Sequence, residues 1–146
     1  MTKIVVDTNI LFSSFLSKKS NIRKILLSKY FSFFSCNSSI AELLVLKDKI
    51  VKYTTIKNKE LFHFMYQIMK EIEFINERYI SKESFYKAWQ LCKDIDESDT
   101  PFVALAIELE ALLWTGDKEL MEGLKSKGFK QIITTQELLC CIKFSN

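Results

Sequence analysis

Four acidic residues occupy positions where one kind of sequence pattern gives way to another. Asp7 follows a β-branched run in KIVVDTNILFSSF, and Asp117 follows the apolar run in LLWTGDKEL. Glu42 lies in NSSIAELL, and Asp99 precedes the apolar run of DIDESDTPFVALA. A carboxylate beside a hydrophobic segment costs free energy if it is buried without a partner. These four side chains are therefore the first candidates for chemistry in the chain.

Local structure offers another explanation for each acid taken singly. Acidic side chains are favoured at helix N-termini, where they accept backbone N–H bonds and face the positive end of the helix dipole. Glu42 fits a capping box with Ser39, three residues before it. Asp7 and Asp117 fit helix N-caps, and Asp99 fits a helix entry with a proline in the first turn. The case for a shared site therefore depends on where all four acids lie.

The elements that must position these acids alternate between strands and helices. Hydrophobic periodicity predicts strands near residues 3–6, 33–35, 73–75, 112–115 and 131–133. It predicts helices near residues 9–17, 20–29, 39–53, 57–71, 81–93, 101–110 and 117–126, and one at the C-terminus. Such alternation is typical of a parallel sheet covered by helices on both faces. With no linker, repeat or low-complexity tract in the chain, we expect a single α/β domain over residues 1–146.

In such a sheet, functional groups gather outside the carboxyl ends of the strands, and all four acids map to that edge. Two like charges ~5 Å apart at an effective dielectric of ~20 repel by about 3 kcal/mol. Several such pairs would consume much of a domain's ~5–15 kcal/mol of stability, and helix N-termini offset only ~0.3–1 kcal/mol each. Either some of the acids are protonated or a cation lies among them. All-carboxylate sites suit Mg²⁺ or Mn²⁺, so the pattern indicates a divalent-metal pocket.

Composition limits the protein class without identifying it. The chain has 146 residues, 48% of them hydrophobic, which predicts a folded domain rather than disorder. Its 21 basic and 18 acidic residues give a net charge of +3, which is compatible with nucleic acid and too small to argue for it. No apolar run reaches the ~20 residues of a membrane span, and no secretion signal is evident. We therefore expect a cytoplasmic protein with reduced, core-packed cysteines at positions 36, 92, 140 and 141.

The segments VVDTNILFSS, AELL and DTPFVALA…LLWTGDKEL, in this order and spacing, resemble the PIN-domain nucleases. The likeness is greatest to the toxins of bacterial toxin–antitoxin modules, of the VapC type. It spans nearly the whole chain, and its first and last segments are the specific ones. The resemblance implies a three-layer α/β/α sandwich with a parallel sheet of four or five strands. It also implies hydrolysis of phosphodiester bonds, usually in RNA, with Mg²⁺ or Mn²⁺, an antitoxin partner, and a homodimer.

The resemblance also assigns roles to the four acids. Asp7, Asp99 and Asp117 match the metal-binding carboxylates, directly or through water. Glu42 matches the family's second acid and assists them. All four are then catalytic residues.

Two polar residues match supporting positions of the family, and one acid is open to a rival. Asn9 matches the polar residue that supports the acidic cluster, and Thr115 matches the hydroxyl just before the last acid. Asp99 best matches the acid before the PFVALA helix. Asp96 is its nearest rival, because a helix entry one turn earlier would favour it.

Residues that could contact a substrate are less clearly marked. The basic cluster Lys18, Lys19, Arg23 and Lys24 could meet phosphates, although a solvated loop and helix face is the favoured explanation. The single histidine, His63, lies mid-helix and is interpreted as a surface or partly packed residue. The aromatic residues are assigned to the core or to a dimer interface rather than to base stacking; they are Phe31, Phe33, Phe34, Phe62, Phe64 and Tyr66.

Two classes of function remain open from the sequence. The first is a metal-dependent endoribonuclease, the toxin of a toxin–antitoxin pair; the alternative is a catalytically inactive PIN-like module that binds RNA or protein. A haloacid-dehalogenase-type phosphatase needs an aspartate two residues after Asp7, where this chain has Asn9. A phosphate-accepting receiver domain needs an acidic pair after the first strand and an acceptor aspartate after the third, and neither is present. Binding of Mn²⁺ separates the first two classes.

Overall fold

The computed structural model describes residues 1–145 and contains the predicted alternation of strands and helices. The strands are β1 (Lys3–Val6), β2 (Ser32–Cys36), β3 (Ile72–Ile75), β4 (Leu112–Trp114) and β5 (Ile132–Ile133). The helices are α1 (Thr8–Ser14), α2 (Asn21–Leu26), α3 (Asn37–Val45), α4 (Lys47–Tyr53), α5 (Asn58–Met69), α6 (Lys82–Cys92), α7 (Thr100–Leu109), α8 (Lys118–Ser126) and α9 (Thr135–Ser145). Short 3₁₀ turns at Glu77–Tyr79 and Glu97–Asp99 precede α6 and α7.

The five strands form one parallel sheet in the order β3-β2-β1-β4-β5. Ile4 of β1 pairs with Phe33 of β2 on one side and with Leu112 of β4 on the other. The chain moves outward from β1 to β2 and β3, then returns to place β4 against the opposite edge of β1. Between β1 and β4 the connections therefore diverge, which opens the crevice where α/β proteins place their ligand sites.

Two hydrophobic cores lie on opposite faces of this sheet, which gives the three-layer α/β/α sandwich. Side chains alternate along a strand, so Ile4 and Val6 face one core and Val5 faces the other. The first core packs β1 against helices α1 to α5 and α9, and the second packs it against α6, α7 and α8. The predicted fold class is confirmed, with five strands.

Two sequence expectations about packing were wrong in detail. The helix predicted over residues 39–53 is two helices, because the backbone of Leu46 leaves the helical region, with φ −85° and ψ 1°. No glycine or proline marks this break. Cys36 and Cys92 are buried as expected, whereas Cys140 and Cys141 lie on the exposed side of α9 instead of in the core. Within residues 1–145, none of the helices has the length and apolar character needed to cross a bilayer.

Candidate active site

The loops after β1 and β4 place two of the acids side by side. Val6 and Trp114 are paired in the sheet, so Asp7 and Thr115 follow directly at the same edge, and Asp117 comes two residues later. Both strands end because the chain turns into a helix, α1 after Asp7 and α8 after Asp117. The switch in strand order therefore brings two carboxylates together that are 110 positions apart in sequence.

The other two acids reach the same place from helices. Glu42 lies on α3, which follows β2, and Asp99 lies at the start of α7, which packs against β1 and β2. A polar cavity of about 200 Å³ forms where these elements meet. Its walls comprise Asp7, Thr8, Asn9, Glu42, Asp96, Ser98, Asp99, Phe102 and Asp117. All four sequence-predicted acids thus line one cavity.

Asp7 is the most deeply buried of the acids, with 4% of its surface exposed. Burial raises the pKa of its carboxyl group, the hydrogen bonds from Thr115 and from the Ile10 N–H lower it, and the charges of Asp117 and Glu42 raise it again. The Asp7 Oδ1 accepts the Ile10 N–H at 2.9 Å, so Asp7 also caps α1. The net direction is upward, which means that the negative charge is poorly compensated by the protein alone.

Asp117 has the same double role. Its Oδ1 accepts the Leu120 N–H at 3.1 Å and caps α8, and its carboxylate also lines the cavity. The N-cap interpretation of Asp7 and Asp117 is therefore correct as local structure. It does not compete with the shared site, because a capping carboxylate uses one oxygen for the helix and has further acceptor capacity.

Asp99 differs from its rival Asp96 in how its charge is satisfied. Two donors of Ser98, its N–H at 2.9 Å and its hydroxyl at 2.6 Å, both bond to Asp96 Oδ1, and these bonds hold the Asp96 pKa below its ordinary value. Asp99 stands at the N-cap position of α7 without making a side-chain cap. Burial and then the charges of Asp96, Asp7, Asp117 and Glu42 raise the Asp99 pKa to about 7. Both acids line the cavity. Asp96 uses its Oδ1 to accept the Ser98 bonds, whereas Asp99 makes no cap and its carboxylate is available to a ligand of the cavity.

Glu42 does not form the capping box that the sequence allows. Helix α3 begins at Asn37 rather than at Ser39, so Glu42 lies in its second turn. The Ser39 hydroxyl instead donates to the backbone oxygen of Cys36 at 2.8 Å. Glu42 is exposed at the cavity wall, and its charge raises the pKa of the neighbouring acids Asp7 and Asp99.

The two supporting residues lie at the cavity in different ways. Asn9 is exposed and belongs to the cavity wall. Thr115 is 1% exposed, and its Oγ1 accepts the backbone N–H of Asp117 at 3.1 Å. Its hydroxyl group also lowers the pKa of the Asp7 carboxyl group. Thr115 thereby holds the backbone at Asp117 and favours the charged form of Asp7.

Three wall residues were missed from the sequence. Thr8, Ser98 and Phe102 line the cavity, and the Thr8 Oγ1 is buried without a protein partner. Ser98 lies within an acidic loop, and Phe102 fits the apolar pattern of α7, so neither has a sequence signal for a cavity position. Thr8 directly follows Asp7, but nothing in its sequence context separates a cavity hydroxyl from a first-turn helix residue.

The donor set is suited to a hard divalent cation. The acidic residues of the cavity wall offer carboxylate oxygens as metal ligands, and the buried Thr8 hydroxyl adds a further oxygen without a protein partner. Oxygen-only ligation favours Mg²⁺ and Mn²⁺ over zinc or copper. Over residues 1–145, no three His, Cys, Asp or Glu side chains stand close enough to form a ready-made ligand cage. Mg²⁺ does not require a complete set of protein ligands, because it usually retains several waters and is bound by only one or two carboxylates.

The basic cluster that the sequence offers for phosphate binding does not line the acidic cavity. Lys18 forms an ion pair with Glu60, and the Arg23 guanidinium lies 5.1 Å from the Phe64 ring centroid. His63 is exposed on α5 beside Gln67, as expected. None of these side chains belongs to the described lining of the acidic cavity.

Comparisons with known proteins agree with the fold and identify the family. The family model described as PIN domain matches residues 5–138. A protein from Pyrobaculum aerophilum has a similar crystal structure, with a TM-score of 0.67 and 12% identity, over 97% of this chain and 90% of that one. A toxin–antitoxin complex from Klebsiella pneumoniae gives a TM-score of 0.61 and 17% identity, over 90% of this chain and 97% of the other.

VapBC2 from Rickettsia felis, solved bound to a DNA fragment from its promoter, gives a TM-score of 0.59 and 18% identity, over 91% and 97% of the two chains. At these identities the structural likeness establishes the fold. No curated protein matches the chain significantly. Because the family model covers most of the sequence and the fold agrees with it, this chain belongs to the PIN-domain family.

Proposed function

We propose that this protein is a metal-dependent endoribonuclease that hydrolyses RNA phosphodiester bonds and acts as the toxin of a toxin–antitoxin pair. One observation carries the proposal: four acids from separate elements line a single cavity in a PIN-domain chain. The toxin–antitoxin titles of the Klebsiella and Rickettsia structures support the toxin role. We further propose that residues 1–146 form one domain and that it acts in the cytoplasm.

In this proposal Asp7, Asp99 and Asp117 would hold Mg²⁺ or Mn²⁺ directly or through water, and Glu42 would assist. Once bound, such an ion offsets charge on the phosphoryl oxygens and makes hydroxide available near neutral pH by lowering the pKa of a water. The phosphodiester bond is then hydrolysed by attack of water oxygen on phosphorus and departure of the bridging oxygen. The chain's own acids contribute position and charge.

Position comes from bonds that hold the carboxylates before any substrate arrives. Asp7 and Asp117 are each fixed by a cap to the helix that follows, and Thr115 accepts the backbone N–H of Asp117. Such preorganisation lowers the cost of arranging charged groups at the moment of reaction. Asn9, at the exposed side of the cavity wall, is placed to contact a ligand of the pocket.

The chemistry proposed here needs no histidine as a base. His63 lies on α5, exposed and next to Gln67, and is not part of the cavity lining. Substitution of His63 by alanine should therefore leave cleavage unchanged.

The test is cleavage of RNA by the purified protein under control of the metal. A defined single-stranded RNA, total cellular RNA and a DNA of the same sequence are incubated with Mg²⁺, with Mn²⁺, with EDTA, and with EDTA followed by excess Mn²⁺. We expect RNA to be cut with metal, preserved in EDTA and cut again when Mn²⁺ is restored. Cleavage that resists EDTA would contradict the proposal. RNA binding without cleavage under any metal would support the alternative of an inactive PIN-like binding module.

Exposed apolar side chains support association with another protein chain. Leu44 and Val45 of α3 are 69% and 84% exposed, and Phe62 and Tyr66 of α5 are 58% and 63% exposed. The Lys47 ammonium at the start of α4 lies 5.8 Å from the Phe62 ring centroid. We propose a homodimer and an antitoxin partner. Light scattering of the purified chain, alone and co-expressed with the product of the neighbouring gene, tests both.

A further inference from the structure

A second hollow borders the acidic cavity and shares two of its residues. It has a volume of about 380 Å³, and Asn9 and Asp117 belong to both walls. The remaining lining residues are Ile10, Ser13, Ile22, Gly116 and Thr135. They come from α1, α2, the β4–α8 loop and the start of α9. The volume falls in the ~300–1,000 Å³ range of small-molecule sites.

The wall of this hollow differs in chemistry from that of the acidic cavity. Ile10 is 3% exposed and Ile22 is half-buried, and together they provide an aliphatic surface. Ser13 and Thr135 add hydroxyl groups, and of the residues described as lining the hollow, none is basic. A phosphate would find no cation here, whereas a flat, uncharged group with polar edges would find both an apolar surface and hydrogen-bonding partners.

One of the hydroxyl groups is held in place for a ligand. The Thr135 Oγ1 accepts a hydrogen bond from the indole Nε1–H of Trp114 at 3.0 Å, and Trp114 is fully buried. Because the indole N–H is a donor only, it leaves the Thr135 hydroxyl hydrogen to donate to another acceptor. The hydroxyl is thus anchored on its core side.

We propose that this hollow binds the base of a nucleotide that flanks the scissile phosphate, and that it sets the base preference of cleavage. Unstacked bases are recognised by hydrogen bonds at their edges, and their faces pack against aromatic or apolar side chains; in this hollow Ile10 and Ile22 would provide the apolar contact. The two shared residues place such a base directly beside the acids that would act on its phosphate. This inference rests on the proposed nuclease function and adds the recognition of a base to it.

Gly116 offers a way to close the hollow without disturbing the fold. A Cβ added there has Ile10 Cδ1 as its neighbour at 4.0 Å, which is ordinary van der Waals contact. The one glycine in the described chain with a positive φ is Gly128, so Gly116 needs no left-handed backbone. Gly116→Val should fold and narrow the hollow from the β4 side. Ser13→Leu narrows it from α1, and Ser126→Leu on the exposed end of α8 is the matched control.

The first measurement is direct binding. The four ribonucleoside 5′-monophosphates are titrated into ¹⁵N-labelled protein with Mg²⁺, and amide shifts and affinities are recorded. We expect shifts at Ser13, Gly116 and Thr135 and a preference for one or two bases. Binding should be at least about tenfold weaker in both narrowing variants, because the added side-chain atoms occupy the volume that a base needs. Ser126→Leu should bind as the wild type does. Retained Mn²⁺ binding in Gly116→Val checks that Asp117 is undisturbed.

The second measurement maps cut sites in a randomised single-stranded RNA pool. Both narrowing variants should shift or flatten the base preference at one position next to the cut. Unchanged nucleotide affinity and unchanged cut sites in both variants would overturn the inference while leaving the nuclease proposal intact. Nucleotide binding that the variants abolish, without cleavage by any form of the protein, would keep the base site and overturn the nuclease proposal. Shifts of the Ser13 and Gly116 amides that a protein partner causes and none of the nucleotides causes would also overturn the base-binding inference.

Discussion

The Thr115 Oγ1 accepts the backbone N–H of Asp117 at 3.1 Å, and the same hydroxyl group lowers the pKa of the neighbouring Asp7 carboxyl group. One buried side chain therefore acts on two acids that follow neighbouring strands. It can do so because Val6 and Trp114 are paired in the sheet, which places Thr115 beside Asp7.

Thr115→Val keeps the size of this side chain and removes the hydroxyl group that accepts the Asp117 N–H and lowers the Asp7 pKa. We expect unfolding free energy to fall by about 1–3 kcal/mol, because the Asp117 N–H and the buried Asp7 carboxylate each lose a partner. Mn²⁺ affinity should fall by roughly 10–100-fold, as is typical when a group that orients a ligand is lost. Urea denaturation and Mn²⁺ titration measure the two effects. Thr115→Ser keeps the hydroxyl and should restore most of both; equal loss in the two variants would argue against the hydrogen bonds.

Asp7→Asn should abolish RNA cleavage while keeping the fold. In EDTA the variant should be as stable as the wild type or more so, because burial raises the Asp7 pKa and the buried charge is unfavourable near pH 7. Asparagine can still accept the Ile10 N–H and cap α1. Thermal unfolding in EDTA and the RNA assay give the two readouts. Asp48→Asn, in the first turn of α4 and exposed, is the control. Full cleavage by Asp7→Asn would refute the role proposed for Asp7.

Asp99→Asn and Asp96→Asn should have unequal effects on metal binding. Asp96 is exposed and its Oδ1 is occupied by Ser98, a role that asparagine can take over, so Mn²⁺ affinity should change little. Asp99 makes no cap and faces the other acids, so its loss should weaken Mn²⁺ binding by at least about tenfold. Isothermal titration of both variants makes the comparison. The reverse ranking would assign the third acid to Asp96.

Without metal, the protein should lose stability as pH rises from 5 to 8. The Asp99 pKa is about 7 in the folded chain against an ordinary value of 3.8, and the Asp7 pKa is also raised. The folded state therefore binds more protons than the unfolded chain in this window. That stabilising contribution is fully present below the unfolded pKa and is lost as pH passes the folded one. Urea denaturation in EDTA at several pH values measures the slope.

Two controls accompany this pH series. Asp99→Asn should flatten the slope, because the titrating carboxyl group is gone. Saturating Mn²⁺ should stabilise the protein more at pH 8 than at pH 6, since a metal binds the deprotonated carboxylates. Stability in EDTA that increases between pH 5 and 8 would contradict the raised pKa of Asp99.

The sequence by itself determined the succession of strands and helices along the chain, the fold class and the family. These follow from patterns that are local: a β-branched run ends at Asp7, an apolar run ends before Asp117, and a helix begins at each. Both aspartates were predicted as caps and as site candidates, and the structure assigns them both positions. Local pattern suffices here because capping and strand termination depend on residues within one helical turn.

Tertiary structure decided the features that depend on distance between separate segments. The sheet order sets Asp7 beside Thr115. The packing of α7 leaves Asp99 partly buried among other acids, which raise its pKa, whereas Ser98 satisfies the charge of Asp96. The break at Leu46 and the hollow bordered by Gly116 likewise have no local signal. A sequence pattern reports which face of an element is apolar, whereas the neighbours of that face are fixed only when strand order and helix packing are set. That is why the acids could be named from the sequence, while the base hollow beside them appeared only in three dimensions.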